Sequence, residues 1–160
     1  MSREVEASKP FVRSSKPTDC HELSLTMREE DKREIYHWDR LSPLTALFDG
    51  FTAGKCWTVE WKGKVVAMFG VAKTKDPSVG QPWMLASDDL KRIRKSFLKE
   101  CHAYVELMFD GYQVLSNYAW AKNDIHIQWL KWLGFKFFPA KHMGYDRELF
   151  YEFYKVNNHV

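Results

Sequence analysis

Residues 115–135, LSNYAWAKNDIHIQWLKWLGF, constrain this chain more than any other stretch. They read as strand, tight turn, helix and stop. Residues 115–121 are aromatic and apolar, the composition of a buried strand. Lys122, Asn123 and Asp124 break that pattern. Asn123 suits a helix N-cap, where its side-chain oxygen takes an otherwise unpaired backbone N–H. Ile127, Leu130 and Leu133 recur at helical spacing and give one apolar stripe. Gly134 stops the helix, because a C-terminal cap often needs a left-handed residue and Gly adopts it without steric cost. From Phe135 the pattern is strand-like again.

The rest of the chain extends this into a mixed order. Phe11, Val12 and Arg13 suit a short first strand, and Pro17-Thr18-Asp19 leads into a helix with Leu23 and Met27 on one face. Thr26 to Glu29 fits a capping box ahead of a charged helix over 29–40, with Ile35 and Trp38 its apolar contacts. Ser42-Pro43 ends that helix. Leu44, Leu47, Phe48 and Phe51 are spaced for another, closed by Gly50 or Gly54. Residues 56–61 alternate as a strand, 61–65 make a hairpin turn around Gly63, and 65–72 form a strand apolar enough to be central. A fourth strand over 82–86 precedes a long helix capped by Ser87 or Asp88 and running to about Phe109. Leu90, Ile93, Phe97, Cys101, Tyr104, Val105 and Met108 mark its buried face. Strands over 135–138 and 149–156 flank a loop around Met143 to Asp146. Trp83, Phe97, Tyr118, Leu130 and Leu133 are the expected core.

At 160 residues this reads as one domain over 10–156, with flexible tails at 1–9 and 157–160. A domain of this size buries enough surface to need no disulfide or metal staple. Eleven Phe, seven Tyr and seven Trp suit a dense core. Cys20, Cys56 and Cys101 are odd in number, far apart and without Cys/His ligand spacing, so they read as reduced thiols in a cytosolic setting rather than zinc ligands. The opening MSREVEASKP lacks the apolar core of a signal peptide. The longest apolar run, 65–72, is too short to span a membrane. A net charge of +3 is too small an excess to point to nucleic acid.

Asn123, then Ile127, then Leu133-Gly134-Phe135, resembles the second half of a GNAT acetyltransferase domain. The opening SSKPTDCHELSLTMREEDKREI, with PWMLASDDL and the 115–135 stretch, resembles the small internal virion protein family of short-tailed phages and its relatives. Together these motifs cover roughly residues 10–155. The resemblance implies an α+β, GNAT-like fold (the acyl-CoA N-acyltransferase fold): a mixed, mostly antiparallel sheet flanked by helices. The strand ending near Ala86 and the strand over 115–121 would run parallel, joined by the long helix, and splay into a V-shaped cleft.

The resemblance also implies acetyl-CoA as cofactor, with Leu85, Ala86, Arg92 and Asn123 at its site. Against this stand two departures. The family holds the pyrophosphate in an Arg/Gln-x-x-Gly-x-Gly/Ala turn at a helix N-terminus, where a side chain would block the approach of backbone to phosphate. The matching turn here, residues 87–92, has no Gly, and Asp88 and Asp89 compete for the positive end of the helix. The family's proton donor is usually a Tyr seven residues after the Asn; that position is Leu130. Trp129 is no useful acid, and Tyr118 serves only if its hydroxyl faces the cleft. No catalytic residue is therefore assigned. Asn123 reads first as a helix cap and second as a CoA contact.

Other candidates read first as structure. His126 and Gln128 fall on the surface or flank of their helix, and Cys101 and His102 point apart as helix neighbours. Asp49, Glu60 and Asp88 form no paired-carboxylate pattern. Lys91, Arg92, Arg94, Lys95 and Lys99 read as the solvated face of an amphipathic helix before a phosphate or nucleic-acid patch.

Three functions follow, of which the weakest, a nucleic-acid-binding accessory protein, rests only on the basic run at 91–99. One is a phage GNAT-like protein of internal virion or ejection type, in the virion or host cytoplasm, acting through contacts with virion or host proteins around a degenerate site. The alternative is an active acetyl-CoA-dependent N-acetyltransferase for a small amine or host protein.

Overall fold

The computed structural model describes residues 9–158; the expected tails lie outside these, apart from residues 9, 157 and 158. Asn157 is tied down, its backbone N–H donating to Gln113 O at 2.8 Å and its side chain to Tyr112 O at 3.1 Å.

Strand β1 (Phe11–Ser14) is followed by three helices, α1 (Pro17–Thr26), α2 (Glu29–Asp39) and α3 (Pro43–Thr52). An antiparallel meander follows, β2 (Gly54–Trp61), β3 (Lys64–Lys73) and β4 (Val79–Ala86). Helix α4 (Leu90–Met108) then leads to β5 (Val114–Trp120), α5 (Asp124–Trp132), β6 (Lys136–Phe137), β7 (Lys141–Met143) and β8 (Glu148–Val156). The eight strands form one sheet in the order β1-β2-β3-β4-β5-β8-β6, with β7 also on β8. All pairings are antiparallel except β4 with β5. The expected α+β fold and the parallel pair are both present.

The sheet is covered on both faces, which explains why β3 reads as an uninterrupted apolar run. One layer packs α4 and α5 on the sheet, with Phe69, Phe97, Leu115, Leu130, Leu133 and Phe153 at its centre. The other packs α1 and α3 on it through Cys20, Leu23, Met27, Leu47, Met68 and Leu85. Of the expected core, Phe97, Leu130 and Leu133 are buried, whereas Trp83 and Tyr118 are only partly so because both line an open cleft. Helix α5 ends as its sequence reads. Gly134 has φ 85°, its N–H donates to Lys131 O, and Phe135 N–H reaches back to Leu130 O, a Schellman closure.

Four local expectations fail. The N-cap of α4 is Asp89, not Ser87 or Asp88, and it makes no side-chain cap bond. Thr26 closes α1 rather than opening α2, whose N-cap is Arg28 with no side-chain cap, so there is no capping box at this junction. Gly50 lies inside α3, and Gly54 begins β2 instead of ending a helix. The loop around Met143 is the turn of a β7–β8 hairpin. That turn caps α2: Tyr145 N–H donates to Trp38 O at 2.8 Å and Asp146 N–H to His37 O at 3.0 Å. Gly144 has φ 78°, and a Cβ there would sit 3.0 Å from the Trp38 Cα, so Gly is what lets the turn approach the helix.

Candidate functional site

Strands β4 and β5 pair only at their starts, Val79 with Val114 and Gly80 with Leu115. Beyond this they part. At the fork Asn117 substitutes for the lost ladder: its Oδ1 accepts from Gln81 Nε2 at 3.1 Å and its Nδ2 donates to Pro82 O at 2.8 Å. Pro82 has no N–H to offer, so the ladder could not have continued through its nitrogen.

Splaying strands frees backbone groups on the inner edges of the V, and buried ones must find partners. Helix α2 supplies them. Ala86 N–H donates to Asp31 Oδ2 at 2.9 Å, Ala86 O accepts from Arg28 N–H at 2.8 Å, and Trp120 N–H donates to Glu34 Oε2 at 2.8 Å. The side chains then bond to one another. Asp31 Oδ1 accepts from Arg28 Nη1 at 2.9 Å and from Asn123 Nδ2 at 2.8 Å. Asn123 Oδ1 accepts from Arg28 Nη2 at 3.3 Å. His126 Nδ1 faces Glu34, 3.0 Å from Oε1. Arg28, Asp31, Asn123 and His126 are all buried. Arg28 Nε and His126 Nε2 have no hydrogen-bond partner.

Burial pushes the Asp31 carboxyl up to about 6, and nearby Glu34 adds to this while Arg28 and Asn123 oppose it. For His126 burial works against the charged form, but the Glu34 carboxylate outweighs it and the imidazole titrates above its ordinary 6.5. Both groups hold a proton more tightly folded than unfolded. Their contributions to stability are therefore fully present below the unfolded values, 3.8 and 6.5, and are lost as pH rises through the folded ones. Asp19 has the opposite sign, since despite burial the Arg13 guanidinium and other donors hold its carboxyl down; its contribution is lost only in acid. Between about pH 5.5 and 8 the unfolding free energy should fall as pH rises, read from urea midpoints. A midpoint that climbs over this range would contradict the arrangement.

The expected site residues separate into two groups. Ala86 and Asn123 meet at the splay through Asp31, and Leu85 precedes Ala86 on β4, packed in the core with Leu23 and Met68. Arg92 stands apart on the first turn of α4, exposed and 3.7 Å from Asp89. Asn123 does not cap α5 with its side chain, because that side chain is spent on Asp31 and Arg28. His126 is buried, not on the flank of its helix. Leu130 is fully buried, and Tyr118 stacks on Trp38 with ring centroids 4.7 Å apart. Cys101 accepts from Trp129 Nε1 at 3.3 Å, while His102 lies against Trp132, so these helix neighbours do face apart. Arg28, Asp31 and Glu34 lie in the stretch that carries the phage resemblance, which assigns them no role at the site. The available signal was their placement: Asp31 and Glu34 share a helix face with Ile35 and Trp38.

Beside the splay lies a cleft of about 340 Å³ under α2 and α3, lined by Trp38, Trp83 and Tyr118 with Glu34, Asp39 and Asp49. Among the described residues no group of three His, Cys, Asp or Glu side chains is placed to hold a metal, and no helix is long and apolar enough to cross a membrane.

Residues 55–142, more than half of the 160, match the family described as Bacteriophage T7, probable scaffold protein Gp13. The chain belongs to this family. Within it, the probable scaffold protein gp13 of Escherichia phage T7 is 33% identical over 72 residues, 42% of this chain and 49% of that protein. The match thus spans about half the relative's length. Solved structures share the fold at low identity. An N-acetyltransferase from Staphylococcus aureus Mu50 is 16% identical, with a TM-score of 0.69 over 94% of this chain and 99% of that one. AAC(6')-Ib in complex with ribostamycin and coenzyme A is 12% identical, with a TM-score of 0.67 over 93% and 94%. Ard1 from Thermoplasma volcanium is 15% identical, with a TM-score of 0.63 over 92% and 97%. This member of the phage Gp13 family therefore has a GNAT-like fold.

Proposed function

We propose that this protein works through protein contacts during virion assembly or ejection, in the virion or host cytoplasm, and that its acetyltransferase site does not turn over. The observation that carries this is the filling of the V. A cofactor slot between splayed strands needs free backbone groups along its inner edge. Here both polar groups of Ala86 and the N–H of Trp120 are bonded to α2. To bond along this edge, acetyl-CoA would have to displace Arg28, Asp31 and Glu34 from it. The turn into α4 reinforces the point, since it carries Asp88 and Asp89, and Ser87 Oγ accepts the Asp89 N–H at 3.3 Å. Leu130, buried where a proton donor is expected, cannot itself supply general acid help, which is worth about 10²–10⁴-fold in rate. The family match supports virion proteins as partners.

Isothermal titration with acetyl-CoA should give no binding heat, and mass spectrometry should find no acetyl transfer to polyamine, aminoglycoside or peptide amines. Asp88→Gly with Asp89→Gly should raise acetyl-CoA affinity only if the splay can open. Micromolar binding with turnover in the unmodified protein would overturn the reading.

A second reading, an active N-acetyltransferase for a small amine or host protein, is favoured by the cleft itself. Its acidic, aromatic lining suits a cation, and burial together with the Asp49 charge raises the Asp39 carboxyl above its ordinary value. The same transfer assay decides between the two.

A further inference from the structure

Helix α2 separates two cavities of opposite character. Its inner face closes the splay and walls the acidic cleft. Its outer face floors an open groove of about 690 Å³ whose other wall is the β5–α5 turn. The groove presents Lys32, Arg33, Arg40 and Lys122 against Glu29 and Glu148, and Asp146 beside it pairs with Arg40, which leaves Lys32, Arg33 and Lys122 as its excess positive charge. Glu29 is exposed and only loosely paired, 3.8 Å from Lys32 and 3.9 Å from Arg33.

We propose that this groove docks an acidic, extended segment of a partner protein. The proposal rests on the reading that the chain acts by protein contacts, and names the chemistry of one such partner. Charge complementarity selects an anion, and the aromatic groups select which kind. A nucleic acid would need open ring faces on which bases could stack. Here the Arg40 guanidinium already covers one face of each exposed ring, 4.4 Å from the Tyr36 centroid and 4.7 Å from that of Tyr145, and Trp120 is buried against His37 at 5.1 Å. What remains toward solvent is ammonium and guanidinium donors beside Leu41 and Pro43, a surface for carboxylates and short apolar side chains. Tyr and Arg are also residue types that concentrate binding energy at protein interfaces. The groove is held in shape before any partner arrives. Asp146 bonds to His37 Nδ1 at 2.9 Å and to Arg40, and its backbone caps α2. A site already ordered loses less entropy on binding.

Fluorescence anisotropy of the full chain with a labelled oligoglutamate peptide tests this. The peptide should bind at low salt and weaken as salt rises. Arg33→Glu with Lys122→Glu, both exposed, should reduce affinity about tenfold or more, while Lys95→Glu with Lys99→Glu on α4 should leave it unchanged. The idea fails if oligoglutamate does not bind, if the α4 pair weakens it as much as the groove pair, or if labelled oligothymidine binds more tightly and depends on Arg33 and Lys122. Acetyl transfer would sink the protein-contact reading without touching these titrations. Loss of oligoglutamate binding with virion association intact would sink the groove alone.

Discussion

Asp31→Ala should lower the unfolding free energy by about 3–5 kcal/mol, the range seen when one member of a buried ion pair is removed. The methyl group leaves the Arg28 guanidinium buried with Asn123 and the more distant, half-exposed Glu30 as its remaining partners. It also orphans the Ala86 N–H and one donor of Asn123. Urea unfolding at neutral pH reads the change directly. The cost belongs to the stranded charge rather than to the pair as such. Replacing both Arg28 and Asp31 with apolar residues of similar volume should therefore recover much of it. A loss below about 1 kcal/mol for Asp31→Ala alone would mean that water reaches the cluster, and the sealed splay would have to be abandoned.

Leu133→Ala should cost about 2–5 kcal/mol, as deletion of a fully buried Leu side chain does when the surroundings cannot collapse. Leu133 is fully buried between α5 and the sheet, and its carbonyl accepts from Lys155 Nζ at 2.7 Å. The same substitution at Leu149, 43% exposed, should change stability by less than about 0.5 kcal/mol. Equal effects at the two sites would undo the assignment of the α5 face. The Leu133 variant should leave oligoglutamate binding intact in the folded fraction, because α5 reaches the groove only through the turn that precedes it.

These two residues illustrate different kinds of legibility. Leu133 is visible in the sequence because apolar spacing reports burial, and Gly134 marks where its helix must stop. The same local signals locate every helix and most strands. Among the described residues only β7 is not legible, its three residues too few to show alternation. Asp31 is nearly invisible. In sequence it is one acid among the charges of α2, and such runs usually face water. Asn123 misleads for a related reason: an Asn before a helix suits a cap so well that nothing local suggests another use.

The order of elements and the Schellman end of α5 were determined by the sequence alone, because each depends on neighbours a few residues apart, and the parallel pair follows from the strand–helix–strand order. Tertiary structure alone decided what fills the V. Strands that part leave backbone N–H groups without a ladder, and the nearest acceptors came from a helix about 55 residues earlier for Ala86 and 86 for Trp120. Periodicity states that a residue is buried; it does not state which polar groups, distant in the chain, will be buried beside it.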